Sequence, residues 1–303
     1  MDYYNKIKSQ FISNEIYKNV KDYYKNKNDL MTYYNVGKLL IEAQGGEERA
    51  KYGDGLIKEY SKKLTDELGK GYTVTSLKRM RQFYLIVQKG ATLSHQLTWS
   101  HYQEVISLKN INEINYYIMI IRQQNLGIRK LREKIRNKEY ERLDGNTKLK
   151  LVMEEEKQIQ DYIKHPILIK NNLDIEEITE ELLEQLILND MDSFLTELGE
   201  GFCYIKHQYK IKIGDSYNYI DLLLYNIIYN CYVVVELKVT ELKKEHIGQT
   251  QFYMNYINKN LKRVDQNDTI GIIVCKRENK FIMEYCSDSR IYETTYMLVN
   301  ECV

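Results

Sequence analysis

The chain has 303 residues, 43% of them hydrophobic and 29% charged, with a formal net charge of +1. That length predicts about two globular domains with enough apolar surface for a core. No apolar run approaches the roughly 18 residues of a membrane span. The start MDYYNKIKSQ lacks the apolar stretch of a secretory signal, and five Cys at irregular spacing form neither a zinc pattern nor a disulfide framework. A reducing cytoplasm is therefore expected.

The small net charge hides an asymmetry. Residues 1–140 carry 25 Lys and Arg against 15 Asp and Glu, while the remainder carries 19 against 28. A basic first half predicts a polyanion partner. The 28 Tyr and single Pro reflect a biased composition, so abundance alone marks no tyrosine as functional.

Residues 1–45 read as one or two helices, with Ile12, Ile16, Val20 and then Leu30, Tyr33, Val36, Leu40 and Ile41 at helical spacing, stopped by Gly45-Gly46. Gly53-Asp54-Gly55 precedes a helix from Leu56 to Leu68, and Gly69-Lys70-Gly71 ends it. Neither glycine cluster is a phosphate loop, because GxxxxGK[ST] is absent. Thr73, Thr75 or Ser76 caps a further helix through Gln88. Helix, glycine turn and helix in this order are compatible with a helix-turn-helix unit. From Lys70 to Gln103 no acidic residue occurs, and Lys78, Arg79 and Arg81 lie on the second helix as candidate phosphate contacts. Trp99, His101 and Tyr102 read as a packing cluster. His95 and His101 have no carboxylates or thiols near them to make a metal pair. Two more helices fill 111–142, broken near Asn125 to Gly127.

Asp144-Gly145-Asn146 marks the domain boundary. We expect a basic helical domain over 1–143, a connecting segment over 144–165 with a helix from Leu149 to Tyr162, and a second domain over 166–303. Pro166 marks a turn. Asp174 with Glu177 reads as a helix start in an acidic region reaching Gly199, whose charges read as a solvated face. A first strand, Phe202 to Ile213, follows.

The stretch from Tyr219 to Lys238 carries the chemistry. Tyr219–Tyr225 and Cys231–Val235 are short apolar runs joined through Asn226–Asn230, the pattern of a buried hairpin. Asp221, Glu236 and Lys238 are ionisable groups on these strands, and burying charge is costly unless it is paired or holds a metal. Positions i and i+2 of a strand share a face, so Glu236 and Lys238 point the same way, and Asp221 on the neighbouring strand can lie opposite them. Two carboxylates supply hard oxygen ligands for Mg²⁺ or Mn²⁺, and the lysine can orient or help deprotonate an attacking water and stabilise transition-state charge. Beyond the hairpin, Lys243–Asn260 reads as a helix with Gln249 and Tyr253 on a common face. Ile270–Cys275 reads as a buried strand with Cys275 as a small core residue, and Thr295–Asn300 as a last strand.

The arrangement Asp221…Glu236-x-Lys238 resembles the PDDEXK nuclease superfamily. The words IDLLLYN, CYVVVELKV, HIGQTQFYMNYIN and TIGIIVCKREN, with YYNVGKLL, TSLKRMRQFY, LTWSHY and NLGIRKLREKIRNKEYERL upstream, are similar to the YhcG-like family over nearly the whole chain. Ile220 departs from the Pro of the superfamily name. The resemblance implies a restriction-endonuclease-like α/β domain with a central mixed sheet flanked by helices, preceded by an all-α domain that binds DNA or mediates assembly. It implies a Mg²⁺- or Mn²⁺-dependent endonuclease, with Asp221 and Glu236 as metal ligands. By position Glu197, in FLTELGEGF, looks like the helix acid that such nucleases place beside the strand acids, with Glu200 the competing residue. Gln249 would orient Lys238 or a phosphate, supported by Tyr253. DNA is the implied partner, in a mobile-element, restriction–modification or phage-defence setting with partner proteins of that system. A homodimer follows if both strands are cut. The rival reading is a binding or assembly module that has kept the fold without turnover. RNA as substrate ranks last, because no RNA-recognition motif is present.

Overall fold

The computed structural model describes residues 2–20, 25–46, 54–171 and 178–300. The chain divides between Tyr140 and Glu141 into two compact units. The first is helical: α1 (Tyr3–Val20), α2 (Lys25–Ala43), α3 (Asp54–Leu68), α4 (Val74–Gln88), α5 (Trp99–Val105), α6 (Ile111–Gln124) and α7 (Ile128–Arg136). Its core gathers Ile7, Phe11, Val36, Leu40, Ile57, Leu64, Leu77 and Met80, the apolar stripes of α1 to α4. Gly37 lets α2 cross α4 closely, since a Cβ there would sit 2.2 Å from the Met80 carbonyl oxygen. The turn after α3 uses Gly69 at φ +91°. Thr73 then caps α4, its hydroxyl accepting the Ser76 N–H at 3.1 Å. The aromatic word after α4 is packing, as expected. Phe83 stacks against Trp99 and Tyr102, and Tyr102 is fully buried.

The second unit holds α8 (Gly145–Met153), a 3₁₀ turn (Ile159–Tyr162), β1 (Ile167–Lys170), α9 (Glu180–Asn189), α10 (Met191–Leu198), β2 (Phe202–Ile213), β3 (Ser216–Asn226), β4 (Cys231–Glu241), α11 (Lys244–Asn260), β5 (Ile270–Arg277), α12 (Lys280–Glu284) and β6 (Ile291–Val299). The strands form one sheet in the order β1-β6-β5-β4-β3-β2. β2, β3 and β4 are antiparallel neighbours, and β4, β5, β6 and β1 are parallel. Strand alternation gives the sheet two apolar faces. Leu222, Leu224, Val233, Val235 and Leu237 pack on Leu183, Leu186, Phe194 and Leu198 of α9 and α10. Leu223, Val234, Ile273 and Cys275 pack on Tyr253, Met254 and Ile257 of α11. This is the all-α plus mixed-sheet α/β architecture expected from the sequence.

Two local expectations are corrected, and one strand is added. The helix from Leu149 to Tyr162 is two pieces: α8 ends at Met153, with Glu154 in the left-handed conformation at φ +56°. β1 was not foreseen, because four residues carry too little alternation to stand out. β6 begins at Ile291, four residues before the expected strand. The helix start at Asp174–Glu177 lies outside the described residues. The described helix, α9, is capped by Thr179, whose hydroxyl accepts the Leu182 N–H at 3.2 Å. Asn226 shapes the hairpin turn: its side-chain oxygen accepts the N–H groups of Ile228 and Tyr229, and its amide donates to the Glu200 carbonyl.

Candidate active site

β3 pairs with β4 only from Leu222 to Asn226, although it pairs with β2 as far as Ser216. Asp221 stands where the two strands part. Its Oδ2 accepts the Leu237 N–H at 2.8 Å, so a side chain replaces the next bond of the ladder and is fixed against β4. On β2, Gln208, held at φ +44°, lies between His207, which pairs with Leu222, and Tyr209, which pairs with Ile220. The ribbon twists at this point: Leu222 faces α9 and α10, while Ile220 joins the α11-side cluster.

Glu236 is 1% exposed, and neither carboxylate oxygen has a hydrogen-bond partner. Burial, and then the charge of Asp221, push its carboxyl up to about 8, against the pull of Lys238. Burial also raises Asp221, opposed by the Leu237 N–H and by Lys238. The Lys238 ammonium lies 3.5 Å from Glu236 Oε2, 4.0 Å from Asp221 Oδ2 and 3.4 Å from Glu180 Oε2. Burial pulls Lys238 down, and the carboxylates of Glu236, Asp221 and Glu180 together outweigh it, so the group stays cationic.

Glu180 is the site residue that sequence reasoning missed. It opens α9, directly after the Thr179 cap, and reaches Lys238 from the helix side. One turn on, Glu184 binds Gln208 Nε2 at 2.8 Å and lies 3.3 Å from His207 Nδ1, fastening α9 to β2 beside Asp221. The sequence signal was Thr179 before the apolar periodicity of Leu182, Leu183, Leu186 and Ile187.

Glu197, the expected helix acid, is not brought to this group. Arg142 grips both its oxygens, with Nη2–Oε1 at 3.0 Å, and Oε2 also accepts the Leu168 N–H at 3.0 Å. Leu168 is in β1, which β6 and β5 separate from β4. Three strand spacings of about 4.8 Å put it on the order of 14 Å away. The carboxylate is a structural tie between α10, β1 and the Arg142 segment. Glu200, the competing residue, lies beside the turn at the far end of the hairpin, where its carbonyl accepts from the Asn226 amide.

Gln249 and Tyr253 share a face of α11, and Gln249 Nε2 donates to the Tyr253 hydroxyl at 3.1 Å. Gly271 allows α11 to lie close on β5, since a Cβ there would sit 2.4 Å from Thr250 Cγ2. Burial raises the Tyr253 hydroxyl, the Gln249 hydrogen bond opposes it, and the charges of Glu236 and Asp221 add to the rise. His246, in the first turn of α11, is pulled down by burial and by Lys238, and its Nδ1 accepts the Lys243 N–H at 3.2 Å.

In the helical unit, Arg79 is exposed, Lys78 is half-buried, and Arg81 Nη1 donates to Gln44 Oε1 at 3.1 Å. Arg81 thereby ties α4 to the end of α2. Among the described residues no helix is long and apolar enough to cross a membrane.

A mixed sheet with Asp, Glu and Lys converging where two of its central strands part, and helices on both faces, defines a nuclease domain of the PDDEXK class. The comparisons agree. Residues 160–301 match the YhcG PDDEXK nuclease domain, and residues 12–142 match the DUF1016 N-terminal domain. The chain belongs to the YhcG family. It is 28% identical over 283 residues to "Putative nuclease YhcG" of Escherichia coli (strain K12), covering 80% of this chain and 76% of that one. Among solved structures it is similar to a repair endonuclease from Pyrococcus abyssi, at 18% identity and TM-score 0.29 over 40% of this chain. It is also similar to EndoMS in the EndoMS-dsDNA2 complex, at 16% identity and TM-score 0.28 over 43% of this chain. The matched region spans about half the length of each of these two chains, 48% in both cases.

Proposed function

We propose that the protein is a metal-dependent endonuclease that hydrolyses DNA phosphodiester bonds at Asp221, Glu236 and Lys238. The observation that carries this reading is Glu236: a carboxylate 1% exposed, with neither oxygen hydrogen-bonded and the Lys238 ammonium 3.5 Å from Oε2, beside a second raised carboxylate. A fold does not bury an unsatisfied acid without a cost of several kcal/mol, so the group is best explained by a ligand that meets it. Hard carboxylate oxygens suit Mg²⁺ or Mn²⁺. Among the described residues no group of three or more His, Cys, Asp or Glu forms a metal cage. Two carboxylates fit Mg²⁺ nonetheless, because it commonly takes one or two from the protein and fills its shell with water and substrate phosphate.

Asp221 and Glu236 would hold the cation. When bound, it supplies positive charge for the phosphate and lowers the pKa of water. Lys238 stays an ammonium, so it donates hydrogen bonds and stabilises charge and does not accept a proton. Its part is to orient the water for in-line attack on phosphorus: a P–O bond forms to the water, whose proton passes to solvent, and the opposite P–O bond breaks, its leaving oxygen taking a proton from solvent, without a covalent enzyme intermediate. Glu180 holds the ammonium in place from α9. Gln249, steadied by Tyr253, would contact Lys238 or a phosphate oxygen. The helical unit, Met1–Tyr140, would bind DNA phosphates through Lys78 and Arg79, with Arg81 bracing α4. Cutting both strands of a duplex needs two sites, which a second copy of the chain would supply.

The test is a plasmid and branched-DNA cleavage assay with Mg²⁺ or Mn²⁺ and with chelator, comparing wild type with Asp221→Ala and Lys238→Ala. Cleavage that requires the cation and is lost in both variants, with DNA binding kept, supports the proposal. Salt-sensitive binding without cleavage of any substrate by wild type would favour the non-cleaving module.

A further inference from the structure

Beyond Asp221 the β2–β3 hairpin continues without β4, running from Tyr209 to Ile220 around a two-residue loop with Gly214 at φ +59°. One face of this arm is anchored. Ile211 and Ile220 are buried with Tyr253, Met254 and Ile257 of α11, and Tyr209 and Ile213 pack against the same cluster. The other face is exposed at Lys210, Lys212, Tyr217 and Tyr219 among the described residues. Lys210 pairs across from Tyr219 and Lys212 from Tyr217. Tyr217 is 54% exposed and Tyr219 46%, and the Lys210 ammonium stands 3.7 Å from the Tyr217 ring centre. Tyr217 and Tyr219 occupy alternate positions of β3, four and two residues before Asp221, so they share the outer side of the arm as the strand runs toward the site.

Charge says what this face would meet. Residues 141–303 hold 28 acidic against 19 basic side chains, yet 202–220 hold three lysines and one acid, Asp215. No carboxylate lies within ion-pair distance of Lys210 or Lys212 among the described residues. Two exposed lysines with aromatic rings between them, on a rigid ribbon, form the type of surface that tracks a nucleic-acid backbone.

We propose that the outer face of the β2–β3 arm, through Lys210, Lys212, Tyr217 and Tyr219, binds the DNA backbone and guides it to Asp221. This rests on the nuclease reading above. Lysines on an edge strand also guard against edge-to-edge pairing, and β2 is the sheet edge. That duty would show as aggregation and would leave DNA affinity unchanged.

The experiment uses the full chain and a labelled DNA duplex. Affinity is measured in chelator from about 50 to 200 mM salt, and cleavage kinetics are then measured with Mg²⁺. The variants are Lys210→Ala/Lys212→Ala and, as an exposed-lysine control, Lys280→Ala. Each phosphate contact contributes about 0.9 to the slope of log affinity against log salt, so the double variant should lower the slope by about 2. Its affinity at about 50 mM salt should fall by roughly tenfold or more, its KM should rise and its kcat should hold, while the control matches wild type. An unchanged slope and KM with normal cleavage would overturn the arm proposal alone. An arm-dependent slope in a protein that cleaves nothing would count against the nuclease reading alone and leave the arm as a DNA contact.

Discussion

Replacing Glu236 by Gln separates what this carboxyl costs the fold from what it does in the site. Its carboxyl is held at about 8, against 4.5 for an ordinary glutamate. A raised folded value means that its contribution to stability is fully present below about pH 4.5 and is lost as pH rises through about 8. At about 1.4 kcal/mol per unit, the cation-free wild type should lose roughly 3 kcal/mol between pH 5 and pH 8 through this group alone. Glu236→Gln has no proton to lose, so its profile over the same range should be flatter by that amount. The assay is urea unfolding of both proteins in chelator at pH 5, 6.5 and 8, followed by Mg²⁺ addition at pH 8. Mg²⁺ at about 100 times its Kd should return about 2.7 kcal/mol to wild type and far less to the variant. Parallel pH profiles for the two proteins, or equal stabilisation by Mg²⁺, would refute the reasoning.

Glu180 and Glu197 should respond in opposite ways. Glu197→Gln leaves the buried Arg142 without its counter-charge and should cost about 3 kcal/mol in a denaturation series, with an unchanged cleavage rate per folded molecule. Glu180 is 48% exposed at its side chain, so Glu180→Gln should change stability little. It should slow single-turnover cleavage about tenfold or more by releasing Lys238. Gly37→Ala forces α2 away from the Met80 carbonyl and should destabilise the helical unit by about 1–3 kcal/mol in thermal melting, with the cleavage rate of the folded protein unchanged.

The parts of the site legible in the sequence were those in which a charge interrupts an apolar pattern. Asp221, Glu236 and Lys238 stood out because Leu222–Leu224 and Val233–Val235 leave no solvent-facing reason for them. Period-two alternation also told which of them share a face. The same logic concealed Glu180. It lies in an acidic run, ITEELLEQL, where a carboxylate at a helix start is unremarkable, and only the packing of α9 across the sheet brings it to Lys238. Glu197 failed for the complementary reason: its position before β2 fitted, but Arg142, 55 residues earlier in the chain, claims it. Ion pairs between distant segments leave no periodic trace. The β2–β3 arm was visible as strands but not as an arm, since where β4 stops pairing is a property of the sheet and not of either strand.

The central claim is that Asp221, Glu236 and Lys238 act as one hydrolytic site. The most direct test is single-turnover cleavage of end-labelled DNA in Mg²⁺ by wild type, Asp221→Asn and Lys238→Met, with DNA affinity measured in chelator. The account predicts a Mg²⁺-dependent rate for wild type and a fall on the order of a thousandfold in each variant at retained affinity. A wild-type rate that persists in chelator, or near-normal cleavage by either variant, would contradict it.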